Sequence, residues 1–372
     1  MPTPPGPFGR ARQNVLYRAG ISGIMPKVPT GPERLEAAAR RALLRRPGGR
    51  KAWAYIYGGA GAGRTMDANR EAFDRRRVIP RMLRDTTDRD LTVELLGRRL
   101  PAPVLVAPIG AAGLITSGAD LDVGAAAAQR GLPYILSSQG SSPMEATAAE
   151  MDAAGGVGAA PRWFQLYWSS DEELVDSFLS RAEEIDADAV VVTLDTTQLG
   201  WRPWDLDLGS LPFTRGVGIA QYTSDPRFSE LVAERIAADE PEAPVKVTPQ
   251  AVRTLLEMAR NHPGGLLDNL RAPEPRAAVQ TFLDTFSNPA LSWDHITTLR
   301  ERTRLPVVLK GVLHPDDARR AVDLGVDAVM VSNHGGRQVD GEVLDNLLAE
   351  IDLTMGLAGV RSWDEVDGGL LT

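Results

Sequence analysis

The chain of 372 residues contains no cysteine, which excludes disulfides, thiolate nucleophiles, cysteine-ligated zinc and iron–sulfur clusters together. Histidine is scarce too, with four in the whole chain, and no metal site is expected. Positive charge is not in excess: 41 Lys and Arg against 49 Asp and Glu give a formal net charge of -8, which argues against nucleic acid and anionic lipid as partners. No apolar run reaches the ~18 residues of a membrane span. The opening MPTPPGPFGRARQNVLYRAG has neither an apolar h-region nor a small-residue cleavage site. The expectation is a chain that is neither exported nor membrane-spanning, at home in a reducing cytoplasmic compartment.

What is present, 43% hydrophobic and 24% charged residues, suffices for one large core or two ordinary domains. Residues 1–100 read as an N-terminal arm followed by helices, with an Arg/Ala/Leu-rich stretch at 32–47. Its arginines at 40, 41, 45 and 46 fit a solvated helix face better than an anion patch. From residue 103 the texture changes to short apolar runs: PVLVAPIG (103–110), PYILSS (133–138), RWFQLY (162–167), AVVVTLDT (189–196), PVVLKGV (306–312) and AVMVSNHG (328–335). Runs of this length and composition are buried parallel strands. The segments between them are amphipathic helices, one opening with a predicted capping box Ser170-x-x-Glu173, another with Pro315 in its first turn and Gly325 past its end. Strand–helix alternation means an α/β fold of (β/α)8 TIM-barrel type, with six of eight strands readable. Residues 203–291 interrupt the rhythm as a lid-like insertion.

Catalytic groups in such a barrel stand at the C-terminal strand tips. Here the tips are polar: Gln165 and Tyr167, Thr193 and Asp195, Lys310, then Ser332, Asn333, His334 and Arg337. His334 alone among the histidines lies in a glycine-flanked strand-to-loop turn, the place for a general base rather than a structural imidazole. Asp195 is the candidate to orient that imidazole, with a helix N-cap as the alternative. Arg202 and Arg337 follow different tips and suit a forked carboxylate clamp, against the plainer reading of surface ion pairs. Lys310 ends an apolar strand, where a cation needs an anionic or electron-rich partner. The GGAGAG run at 58–63 is not a phosphate loop, because no strand precedes it and no Gly-Lys-Ser/Thr follows.

The run SNHGGRQVDG (332–341) resembles the signature of the FMN-dependent α-hydroxy acid dehydrogenases and oxidases. Further similarity lies in YIYGGAG, RMLRDTTDRDLTVELLG, APIG, YILSSQGSS, WFQLYW, VVTLDTTQLGWRPWDLDLG and LPVVLKGVLHPDDARRAVDLGVDAVMVSNHGGRQ. Within that family the N-terminal arm and GWRPWDLDLGSLPFTRGVGIAQYTSDPRF look most like the lactate 2-monooxygenases. The resemblance implies FMN as cofactor, a small 2-hydroxy acid and O2 as reactants, and a homo-oligomer. It implies that His334 takes a substrate proton with Asp195 supporting the imidazolium, and that Tyr55, Tyr167, Arg202 and Arg337 hold the substrate. Pro108, Ile109, Gly110, Ser137, Gln165, Thr193, Lys310 and Ser332 would contact FMN. Lactate would be converted to acetate, CO2 and water, or, in an oxidase, to the 2-oxo acid and H2O2.

The resemblance breaks after Gly341. Family members continue with two further βα units, about 30 residues each, whose turns bind the FMN phosphate. The 32 residues from 341 to 372 read instead as a C-terminal helix over 342–372, as if a deletion near 341–343 joined the sixth strand to the final helix. That expectation carries a second: weak FMN binding, or a catalytically inactive remnant.

Overall fold

A computed structural model describes residues 9–76, 78–85, 89–238 and 246–340. The expected C-terminal helix over 342–372 lies outside them. The chain divides into two compact units, Met1–Tyr57 and Gly58–Thr372.

The first unit is helical, with α1 (Arg10–Ile21), α2 (Pro32–Leu44) and α3 (Gly49–Tyr57). Pro32 opens α2, where its missing N–H would have had no intrahelical partner. On α3, Trp53 stacks on Tyr57 with ring centroids 4.7 Å apart, and the Arg40 guanidinium lies 5.7 Å from the Trp53 ring. Arg40, Arg41, Arg45 and Arg46 are all exposed, as a solvated helix face requires.

The second unit starts with α4 (Arg64–Asp74) and a short antiparallel hairpin, β1 (Val93–Leu95) and β2 (Arg98–Leu100). A parallel sheet follows, in the order β3 (Tyr134–Ser137), β4 (Arg162–Leu166), β5 (Ala189–Thr193), β6 (Val307–Val312) and β7 (Ala328–Val331). Each strand lies beside its predecessor in the chain, which is the winding of a βα barrel. The connections are α5 (Ala119–Ala128), α6 (Met144–Gly155), α7 (Glu172–Glu184), then an insertion carrying α8 (Pro203–Asp207), α9 (Ala220–Thr223), α10 (Pro226–Ala238), α11 (Pro249–Asn261), α12 (Leu266–Asn269) and α13 (Glu274–Thr285). After it come α14 (Trp293–Arg302) and α15 (Pro315–Asp323). No helix among the described residues is long and apolar enough to cross a membrane.

The run expected as a first strand, 103–110, reduces to one parallel bridge, Val106 to Tyr134. Val106 accepts from Ile135 N and donates to the Pro133 carbonyl, but Pro103 and Pro108 on either side have no N–H with which to extend a ladder. A second difference concerns α7. Its N-cap is Asp171, whose carboxylate accepts from Leu174 N at 2.7 Å, while the Ser170 hydroxyl bonds to the Asp284 carbonyl instead. Asp and Ser cap equally well, so tertiary contacts decide the register.

Alternation along the strands sorts the sheet into two faces. Ile135, Trp163, Ala189, Val191 and Val308 form one buried cluster, against which Leu95 and Leu96 of the hairpin pack. Register pairs continue this face towards the C-terminal tips: Ser137 opposite Gln165, and Thr193 opposite Lys310. The interior row is apolar at its base and polar at its tip, so parity alone brings these four side chains to one end.

The insertion is anchored rather than loose. Phe282 on α13 is fully buried, stacked on Phe286 at 5.0 Å and edge-on to Tyr222 at 4.8 Å, while Tyr222 packs edge-on to Phe178 of α7 at 5.0 Å. Truncating Phe282→Ala should lower unfolding stability by about 3–5 kcal/mol. A denaturant midpoint indistinguishable from wild type would show that this cluster does not hold the insertion down.

Candidate active site

The side chain of His334 sits just past β7 in a turn where three successive residues have left-handed backbone: φ 56° at His334, 68° at Gly335 and 73° at Gly336. Glycine adopts this conformation freely, but histidine does so at a cost of order 1 kcal/mol, so the surroundings must impose it. The His334 backbone N–H donates to Ser332 Oγ at 3.0 Å. The imidazole reaches back to the tip of β5, where its Nδ1 lies 2.6 Å from Asp195 Oδ1. Lys310, at the tip of β6, places Nζ 3.3 Å from Asp195 Oδ2 and 3.4 Å from His334 Nδ1. Thr196 Oγ1 donates to Asp195 Oδ1 at 3.0 Å and lies 3.2 Å from His334 Nδ1.

Asp195 and Lys310 expose only 9% and 11% of their side chains. Each charge taken out of water carries a penalty of several kcal/mol, which the other offsets. Burial pushes the Asp195 carboxyl up, but the hydrogen bond and charge of His334, the charge of Lys310 and the Thr196 hydroxyl outweigh it, so the group stays below the usual aspartate range. For His334 the balance tips the other way. Burial disfavours the imidazolium, Asp195 opposes this, Lys310 and Arg202 reinforce it, and the net shift is downward. At neutral pH the ring is therefore an unprotonated base with Nδ1 committed to Asp195. None of the hydrogen bonds among the described residues uses Nε2, leaving that nitrogen to accept a proton.

Arg202, buried in the loop after β5, donates Nε to the Arg337 carbonyl at 3.1 Å and a terminal N–H to Gln338 Oε1 at 2.9 Å. Arg337 donates to the Gly58 carbonyl at 2.5 Å. Both guanidinium charges act on Asp205, where burial pushes the carboxyl up against their pull. The two arginines are thus neighbours at the His334 end of the sheet. Tyr167 is buried just past β4, its N–H on Ser138 Oγ at 3.3 Å. Pro108, Ile109 and Gly110 form the loop after the Val106 bridge, and Gly110 is close enough to β3 that a Cβ there would meet Gln139 at 3.1 Å. Tyr55 is buried on α3 of the first unit; all the contacts above belong to the second.

Sequence patterns did not single out two residues of this constellation. Buried Gln338 accepts from Arg202 and donates to the backbone carbonyls of Asp195 and Gln198, both at 3.0 Å. Gly311, at φ 103°, leaves room for Asp195: a Cβ there would fall 2.7 Å from Asp195 Cβ. The Lys-Gly pair at a strand tip was the available signal for the second, and the SNHGGRQVDG run that contains Gln338 was the signal for the first.

Comparison with known proteins places this arrangement. Residues 45–343 match the FMN-dependent dehydrogenase family. The chain is 35% identical over 340 residues, 91% of its length and 74% of the relative's, to the FMN-dependent alpha-hydroxy acid dehydrogenase qulF of Penicillium citrinum. It is 34% identical to an L-lactate oxidase of Lysinibacillus sphaericus over 81% of this chain and 67% of that one. A crystal structure of mandelate oxidase with (S)-4-hydroxymandelic acid aligns with TM-score 0.60 and 32% identity, over 87% of this chain and 76% of the other. The chain belongs to the FMN-dependent dehydrogenase family. It is an α-hydroxy acid oxidoreductase with FMN as its cofactor.

The residues at the tips of this FMN-dependent dehydrogenase fit a flavin. Ser137 Oγ donates to Gln165 Oε1 at 3.1 Å, which turns the Gln165 amide so that Nε2 is left over. Gln165 Nε2 and Thr193 Oγ1 are both buried with no hydrogen-bond partner among the described residues. Unpaired groups of this kind cost about 1–3 kcal/mol each unless something fills the space above them. The polar pyrimidine edge of a flavin offers both a donor and acceptors, and Lys310 stands on the next strand but one from Gln165.

Substituting Gly311→Ala should push Asp195 off His334, because neither the positive φ nor the 2.7 Å approach tolerates a methyl group. The His334 titration, followed by NMR, is expected to move from its lowered position; an unchanged titration together with an unchanged Asp195 position in a crystal structure would refute the packing argument.

Proposed function

We propose that the chain oxidises a small L-2-hydroxy acid, lactate, with O2 as co-substrate to acetate, CO2 and water, in the manner of a lactate 2-monooxygenase. The observation that carries the chemistry is the 2.6 Å contact of a left-handed, unprotonated His334 with the buried Asp195 carboxylate. In this reading His334 Nε2 takes a proton from substrate, and Asp195 offsets the imidazolium charge as it forms. FMN, when bound, supplies the two-electron acceptor. Arg202 and Arg337 hold the substrate carboxylate, and Tyr167 a further substrate oxygen, so that Cα is fixed by geometry rather than found by diffusion. Pro108, Ile109, Gly110, Ser137, Gln165, Thr193, Lys310 and Ser332 hold the cofactor. The anchored helices of the insertion cover the site and retain the 2-oxo acid. The domain organisation that goes with this is an arm and helices to residue 100, a barrel over 101–341 with the lid at 203–291, and a C-terminal segment. A cysteine-free chain fits the cytoplasm, and the family resemblance fits a homo-oligomer.

The similarity to an L-lactate oxidase favours one other outcome, release of pyruvate and H2O2. Product analysis separates them: acetate and CO2 support the monooxygenase, whereas pyruvate and peroxide in equal amounts replace it with the oxidase. Free FMN titrated into the purified chain, with flavin absorbance followed on adding lactate, tests both, and absence of binding or of bleaching defeats both.

Two variants sharpen the assignment. Replacing His334→Gln should slow flavin reduction by roughly 10²–10⁴-fold while a carboxylate inhibitor still binds, because base and clamp are separate groups. Wild-type rates in that variant would remove His334 from the chemistry. In the unmodified protein, reduction should persist below the ordinary histidine value of 6.5 and fail only in more acid solution, since the lowered imidazole keeps its neutral form there. An acid limb at or above that value would contradict the burial argument.

A further inference from the structure

Helix α4 buries none of its residues, yet it is tied to the His334 turn by more hydrogen bonds than any apolar contact explains. Its N-cap, Gly63, has no side chain to accept from the first turn. The cap comes instead from the far end of the chain: Asp340 accepts from Arg64 N at 3.0 Å, Thr65 N at 2.7 Å and Thr65 Oγ1 at 3.1 Å. One turn on, and so on the same face, Asn69 exchanges two hydrogen bonds with Asn333, Nδ2 to Oδ1 at 3.0 Å and the reverse at 2.7 Å. Asn333 Oδ1 also accepts from Gly336 N at 3.2 Å, closing the turn around His334. The Gly336 carbonyl accepts from Ala60 N at 3.0 Å, and a Cβ on Gly336 would lie 2.7 Å from Met66 N. Asn333, Gly336 and Asp340, three members of the SNHGGRQVDG run without an assigned task, thus all face one helix more than 260 residues away.

We infer that Asn69, with Thr65 beside it, is a positioning residue: through Asn333 and Asp340 it holds His334 in its left-handed conformation with the ring on Asp195. Neither asparagine touches the imidazole, so the effect passes through the backbone of residues 332–340. The pairing is specific because an amide-to-amide exchange needs a donor and an acceptor on both sides. Apolar support is limited to the half-buried Met66 side chain against Gly59 and Gly336, since α4 has no fully buried side chain and its Phe73 is 82% exposed. Removal of one amide therefore frees the turn without opening the core. The inference rests on His334 being the base of the proposed reaction, but its first readout does not need the reaction.

The test uses the full chain labelled with 15N, with His334→Gln to assign one ring among four. In wild type the His334 ring, facing Asp195, Lys310, Arg202 and Thr196, titrates below the ordinary range. In Asn69→Ala the titration should move up towards the ordinary value as the ring leaves its buried seat. Lactate-dependent flavin reduction should drop on the order of a hundredfold with KM changed far less. Asn69→Asp, which keeps the size and loses the donor, should behave like the alanine variant, and Asp340→Asn, which keeps one acceptor for Thr65, should recover most of the wild-type behaviour. Should Asn69→Ala fail to fold, Asn69→Asp carries the same comparison. A lower melting temperature with an unmoved His334 titration would mean a purely structural contact and would overturn the inference. If wild type shows no lactate-dependent reduction but the titration still shifts in the variants, the lactate assignment falls and the positioning role stands.

Discussion

The second unit depends on one buried carboxylate being shared. Asp195 receives Lys310 on one oxygen and His334 on the other, with Thr196 on the His334 side and Gln338 on its own backbone carbonyl. A lysine at the end of an apolar strand needs this anion to be tolerable at all. A histidine at positive φ needs it to fix the ring. Both demands meet on an atom pair that only a glycine at 311 leaves room for, so the chemistry at three strand tips is coupled through sterics as much as through charge.

Strand parity explains why the polar groups at the strand tips come from four different strands without any local cluster in sequence. Ser137, Gln165, Thr193 and Lys310 are separated by tens of residues, yet each follows an inward apolar residue by two: Ile135, Trp163, Val191 and Val308. A parallel ladder with little register shift then lines them up. The departure is the irregularity between Lys310 and Val312, which is where Gly311 makes its close approach to Asp195.

This parity made much of the site legible beforehand. Apolar runs ending in polar residues mark the tips of β3 to β6, and a single glycine-flanked histidine marks the turn after β7. What stayed hidden depends on partners rather than on pattern. The run at 103–110 has strand composition, but its prolines limit it to the Val106 bridge. Ser170 and Asp171 are equivalent caps by composition, and the Asp284 carbonyl, more than a hundred residues away, takes the serine. Asn69 looks like an ordinary polar residue until the fold puts Asn333 opposite it, and Gln338, though inside the SNHGGRQVDG run, shows its task only with Arg202 opposite it.

The position of β7 gives these long-range contacts their weight. Among the described residues it has a neighbour on one side only, its first three side chains are half-buried, and Val331, just before the His334 turn, is 77% exposed. The four preceding strands are held by apolar packing on both faces, so their tips inherit rigidity from the core. The turn after β7 inherits little. Its geometry must come from polar contacts made beyond the strand: Asp195 and Thr196 on the ring, Arg202 on the Arg337 carbonyl, the Asn69 side chain of α4 on Asn333, and the Ala60 N–H on the Gly336 carbonyl. Hydrogen bonds are directional where apolar packing is not, and each is worth only about 1 kcal/mol net. The structure thus fixes a conformationally costly residue, His334, with several weak, oriented contacts in place of one strong one.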